Sequence, residues 1–198
     1  MKLLALDISK TCTGWAFWRP GDDRALLGHF SCGSSMSSNG DCFAKLQGRL
    51  NELHMALGFE RMVWEQKLSP QNLGGISNYQ TIALLGGLEA HAESFAAVFR
   101  IPARAVNVSS WRPDFLGRDE IAGVRQAIKE REKREGKKIG TSDALKVATM
   151  ERAKQFGHAP RKQDEADALG ILDYELLTRG ITPPWRQSEV LQPMVAVR

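Results

Sequence analysis

Two short apolar runs in this chain each end on a carboxylate: Leu3-Leu4-Ala5-Leu6 runs into Asp7, and Met62-Val63-Trp64 runs into Glu65. Both runs have the length and residue types of buried strands. An unpaired carboxylate is costly in such a place, so the fold must bring each one a cation, a set of donors or water. The period of two along a strand puts Asp7 on the same face as Leu3 and Ala5. Taken alone, either acid is also explained by a structural ion pair or a strand-end cap.

The pattern around these runs indicates a mixed sheet. Residues 2–8 read as a first strand and the aromatic-rich 14–19 as a second, followed by a turn at Pro20-Gly21-Asp22-Asp23. A third strand at about 24–31 completes an antiparallel meander, and the run from Gly33 to Gly40 reads as a loop. Phe43, Leu46, Leu50, Leu53 and Leu57 recur at helical spacing, predicting a helix over 41–58 that Gly58 ends. A strand at 62–66, a Pro- and Gly-containing loop, a helix over 77–99 and a strand at 104–108 follow. Residues 119–135 are mostly charged and predict a poorly buried helix or mobile arm. Helices are expected over 142–156 and 163–178, and the Pro-containing segment from Gly180 is unassigned or extended. Three antiparallel strands followed by alternating helix and strand give an α/β class, a mixed sheet flanked by helices. The length of 198 residues suits one such domain.

Charge and composition narrow the chemistry. Hydrophobic residues make up 42% and charged residues 25%, the balance of a globular chain, with no run of about 20 uncharged apolar residues to span a membrane. The apolar opening is cut by Asp7 too early for a signal peptide, so the cytoplasm is the expected location. Cys12, Cys32 and Cys42 are odd in number and lack CxxC spacing, and His29, His54, His91 and His158 lack HxH or HxxxH spacing. Neither a disulfide framework nor a Cys- or His-based metal site is indicated. The net charge is +4, yet residues 100–163 carry 16 Lys and Arg against 8 Asp and Glu. That local excess suggests nucleic acid as a partner, with a solvated helix face as the alternative.

A third acidic element stands in the last helical stretch, Asp164-Glu165-Ala166-Asp167-Ala168-Leu169. Asp164 and Asp167 are three apart and share a helix face, whereas Glu165 is rotated by about 100° and is expected to face solvent. If Asp7, Glu65, Asp164 and Asp167 meet, like charges share one small site, and hard divalent ions with oxygen ligands relieve the repulsion. Two such ions suit in-line phosphodiester hydrolysis.

Leu4-Ala5-Leu6-Asp7-Ile8-Ser9 with Thr13-Gly14-Trp15-Ala16, then Trp64-Glu65-Gln66, then the run from Asp164 to Leu169 resemble the RuvC-type Holliday junction resolvases of the ribonuclease H-like superfamily. The likeness is greatest to the RuvC-like proteins of bacteriophages and prophages. The resemblance covers residues 1–178 and leaves 179–198 as a C-terminal tail. It implies a five-stranded mixed sheet, a homodimer, and two Mg or Mn ions held by Asp7, Glu65, Asp164 and Asp167. It also implies paired cutting of a four-way junction that leaves 5′-phosphate ends. The family's usual Pro-Gly after the first Asp is Ile8-Ser9 here, and the charged segment at 118–140 looks like an insertion.

Several further residues are candidates for DNA contact. Lys10 follows Asp7, and Lys67 and Leu68 follow Glu65; Leu68 or Leu73 is a candidate wedge for the junction centre. Trp111 is placed to stack on a base or sugar, or else to cap the core, and Arg112 to hold a phosphate. Lys146, with Lys154, Arg161 and Lys162, could line the same groove. Gly86-Gly87, with Ala83, Leu84 and Leu88, is the candidate dimer face because small residues permit close approach. A ribonuclease H acting on hybrids and a silent branched-DNA-binding module are the alternative functions.

Overall fold

The computed structural model describes residues 1–66, 79–137 and 140–186. Lys67, Leu68 and Leu73 lie outside them. The described elements are β1 (Leu3–Asp7), β2 (Thr13–Trp18), β3 (Leu26–Phe30), α1 (Asn39–Leu57), β4 (Arg61–Glu65), α2 (Tyr79–Val98), β5 (Ala103–Val106), α3 (Val108–Leu116), α4 (Arg118–Glu135), α5 (Thr141–Gln155) and α6 (Gln163–Thr178).

The strands form one sheet in the order β3-β2-β1-β4-β5. β1–β2 and β2–β3 pair antiparallel, while β1–β4 and β4–β5 pair parallel. Strand alternation divides the core into two layers. Leu4, Leu6, Phe17, Met62 and Trp64 pack with α1 and α2 residues such as Leu46, Leu50, Leu88 and Phe95. Leu3, Ala5, Ala16, Val63 and Val106 face the other way, against Trp111 and Phe115 of α3 and Ala166, Leu169 and Leu172 of α6. The same period sends Asp7 and Glu65 toward the α6 layer. Leu6 pairs with Trp64, so the two acids sit one step further along adjacent parallel strands.

α1 starts at a capping box, in which the Ser38 side chain accepts from the Asp41 N–H and Asp41 accepts from the Ser38 N–H. It ends at Gly58, whose φ of 59° is the left-handed conformation that glycine adopts without strain. α3 is a helix over a stretch that the sequence pattern leaves unassigned. The Asn107 side chain accepts from the Ser109 N–H to start it, and Pro113 lies inside it.

Three expectations are corrected. Glu165 is buried at 3% exposure, because the side of α6 turned away from Asp167 lies on β3 rather than in solvent. The face of α2 around Gly87 belongs to the protein's own core. A Cβ on Gly87 would collide with the Phe43 ring of α1, and Leu84 and Leu88 are buried in the same layer. Gly86 itself faces open space. The segment after α6 is docked, since Trp185 is buried and its indole N–H donates to Asp173 at 2.8 Å. The folded unit therefore extends past Thr178 at least to Arg186. α4 is the poorly buried charged helix expected, attached through Ile121 and Ile128.

Candidate active site

Two glycines decide how α6 meets the sheet. Gly14 of β2 pairs with Asp7, and a Cβ on Gly14 would collide with the Asp164 carbonyl, so only glycine lets the first turn of α6 lie against β2 beside Asp7. Gly170 does the same for α3: a Cβ there would stand 2.5 Å from the Trp111 ring. With that space available Trp111 is fully buried, and its Nε1–H donates to Glu65 Oε2 at 3.0 Å. The expectation that Trp111 stacks on DNA is corrected. Its ring is enclosed by the core, and its polar edge orients a carboxylate instead.

Asp167 is the most exacting group at this junction. It is 1% exposed. Arg112 Nη2 donates to Oδ2 at 3.3 Å, and Oδ1 has no hydrogen-bond partner among the described residues. Burial pushes the Asp167 carboxyl up to about 7; Arg112 pulls it down, Asp7 and Glu65 push it further up, and Lys146 pulls it down. The charges of β1, β4, α3, α5 and α6 thus converge on one place. Arg112 is itself largely buried and stacks over the Trp111 ring at 4.6 Å. Its Nε, like Asp167 Oδ1, is buried with no hydrogen-bond partner among the described residues.

Asp164 is half-buried at the rim. It hydrogen-bonds the Cys12 thiol, which is pushed up to about 12 by burial first, then by Asp164 and more weakly by Asp7. A thiol held protonated in this way is no nucleophile at neutral pH. Lys10 donates to the Ser37 carbonyl at 3.0 Å, which ties it to the loop before α1. Glu165, which sequence reasoning assigned to solvent, accepts from the Arg161 N–H and pairs with His29 Nδ1, both at 2.6 Å. It thereby pins the start of α6 to β3.

The donor chemistry at the pocket is all carboxylate oxygen, the set that hard divalent ions prefer. Among the described residues, however, no three His, Cys, Asp or Glu side chains stand as a ready-made metal-binding group. The orphaned, buried Oδ1 of Asp167, on a carboxyl that feels the charges of Asp7 and Glu65, is the feature that fits an incoming cation.

No protein-family model and no curated protein matches the sequence. Among solved structures, the chain is similar to Thermus thermophilus RuvC in complex with Holliday junction substrate, with a TM-score of 0.60 and 13% identity over 91% of this chain and 96% of that one. It is similar also to a second Thermus thermophilus RuvC structure, with a TM-score of 0.58 and 14% identity over 92% and 99% of the two chains. The five-stranded sheet with its flanking helices is thus the ribonuclease H-like fold in its RuvC form.

Proposed function

We propose that this chain is a metal-dependent endonuclease that cuts Holliday junctions or related branched DNA by phosphodiester hydrolysis. The observation that carries the reading is Asp167, a buried and under-neutralised carboxylate coupled to Asp7 and Glu65 where α6 meets β1 and β4. A carboxylate desolvated beside two further acids is the pattern that functional sites concentrate. The RuvC fold supports the choice of substrate, since one matched structure holds a Holliday junction.

In this reading Asp7, Glu65, Asp164 and Asp167 hold two Mg or Mn ions. When bound, such ions supply an activated water and stabilise the leaving oxygen. The protein's own groups do the rest. Trp111 fixes the Glu65 carboxylate through its indole N–H. Arg112 and Lys146 provide positive charge beside the acids for the scissile phosphate. Gly14 and the Glu165–His29 pair keep the first turn of α6 in register with β1. Paired cutting needs two sites of opposite polarity, hence a homodimer. The outward side of α2, with exposed Tyr79, Gly86, Ala90 and Val98, replaces the Gly87 face as the candidate interface. Among the described residues no helix is long and apolar enough to cross a membrane; a cytoplasmic location is part of the proposal.

The test is incubation with Mg or Mn and four substrates: a four-way junction, a flap, plain duplex and an RNA–DNA hybrid. Selective junction or flap incision supports the reading. Selective hybrid cleavage points to a ribonuclease H instead, and binding without cleavage to a silent module.

A further inference from the structure

The Arg112–Asp167 ion pair is joined by a single, long contact. A guanidinium matched to a carboxylate makes two short parallel bonds, whereas here one bond of 3.3 Å forms. One nitrogen of the Arg and one oxygen of the Asp are left buried without partners among the described residues. Elsewhere in the same molecule the chain makes the matched version. Arg186 holds Asp173 through Nε at 3.0 Å to each oxygen and through Nη2 at 2.6 Å. The mismatch at Asp167 is therefore local to the acidic pocket.

Arg112 is also kept from Asp167 by its own packing. Its guanidinium lies over the indole of Trp111, and that indole donates to Glu65. The cation is thus shelved on the indole that orients Glu65 and touches Asp167 through a single bond. A divalent ion carries twice the charge, and it would satisfy Asp167 Oδ1 and draw on Asp7 and Glu65 as well. Both cations compete for the same acids, so the arrival of one weakens the hold of the other.

We propose that Arg112 is the counter-cation of the acidic pocket in metal-free protein, which a divalent ion displaces from Asp167 and so makes available to a phosphate. The inference rests on the metal-dependent reading of the site. It requires that removing the Arg charge strengthens metal binding in the absence of DNA, the opposite of what a residue that merely props up the site would do.

The test is calorimetric titration of the full chain with MnCl2, without DNA, for wild type, Arg112→Gln and Arg112→Lys. Arg112→Gln should bind Mn2+ on the order of tenfold more tightly than wild type, and Arg112→Lys, which keeps the charge, within about threefold of it. Equal or weaker binding by folded Arg112→Gln overturns the exchange. In case Arg112→Gln fails to fold, the wild-type protein gives a second readout from the Arg112 side-chain Nε–H resonance during a Mg2+ titration. That resonance should move in step with metal occupancy. Metal binding that shifts Asp7 and Asp167 signals but leaves Arg112 unmoved overturns the exchange alone. No saturable metal binding at all overturns both the exchange and the metal-dependent reading.

Discussion

α6 carries buried acids in both of its halves, and the two halves treat them differently. Toward the C-terminus, Asp173 accepts from Trp185 and makes three bonds with Arg186. Glu175 is surrounded by Arg104 and Arg179, both hydrogen-bonded to it, and by Arg61 at 3.8 Å. Toward the N-terminus, Asp167 has one long contact and a bare oxygen, and the charges of Asp7 and Glu65 oppose it. One helix and one degree of burial thus give two outcomes. Asp173 and Glu175 are matched by arginine side chains and Glu165 by His29 and a backbone N–H, whereas Asp167 keeps one long contact, the difference expected if that acid is reserved for chemistry.

The largest effect should come from Asp167→Asn. Junction cutting should fall by at least about 1,000-fold, roughly 4 kcal/mol of barrier, while melting of the metal-free protein at pH 8 stays level or rises. Asp7→Asn, Glu65→Gln and Asp164→Asn should likewise abolish cutting while leaving junction binding. A wild-type rate in any of these variants removes that residue from the proposed set. The opposite half of α6 should respond in the opposite sense. Glu175→Ala leaves arginines clustered without their acid and should cost about 3 to 5 kcal/mol in urea unfolding. If the folded remainder of that variant still cuts at the normal rate, the division between the two halves stands.

Acid and base should also separate Asp167 from a buried structural group outside α6. The Asp167 carboxyl is raised from 3.8 to about 7, so the folded state favours its protonated form. That contribution is complete below about pH 4 and is lost as pH rises through 7 in metal-free protein. His158 runs the other way. Its Nε2 accepts from the buried Ala25 N–H, and burial, with Arg24 adding to it, lowers the ring to about 4 from 6.5. Its contribution is complete above about pH 6.5 and is lost as pH falls to 4. The upper bounds are about 4 kcal/mol for Asp167 and about 3 kcal/mol for His158. The two windows overlap between about pH 4 and 6.5 with opposite slopes, so unfolding free energy should change little there in the wild type, whereas in Asp167→Asn it should rise with pH from 4 to 6.5 under His158 alone and not fall toward pH 7.

The smallest expected effect is that of Trp111→Phe. It keeps most of the packing against Gly170 but removes the donor to Glu65, costing about 1 to 2 kcal/mol of stability and about tenfold in cutting rate. An unchanged rate would show that Glu65 holds its orientation without the indole.

Much of this site was legible because strand alternation is a strict rule. Asp7 and Glu65 each end an apolar run, and period two alone sends Asp7 to the face of Leu3 and Ala5, where α6 packs. The i, i+3 spacing of Asp164 and Asp167 was equally plain. What the sequence did not show were the contacts that depend on a third element. Glu165 was assigned to solvent because its rotation from Asp164 is readable, whereas the presence of His29 on that side is a property of the sheet. Gly14, Gly87 and Gly170 each make room for a particular neighbour, and a glycine does not name what will fill the space. α3 was missed because Pro113 lies inside it, and the Asn107 cap was the signal that could have revealed it. Trp185 and Arg186 follow two prolines and carry no periodicity, so their docking on Asp173 left no local trace.

The measurement that bears most directly on the central claim is incision mapping on a four-way junction by wild type and Asp167→Asn, side by side in Mn2+, with both proteins shown to be folded and junction-bound. The account predicts paired incisions with 5′-phosphate ends from the wild type and none from the variant. Incision by Asp167→Asn at the wild-type rate, or a wild type that binds the junction and never cuts it, would contradict the claim that the under-neutralised half of α6 is a catalytic site.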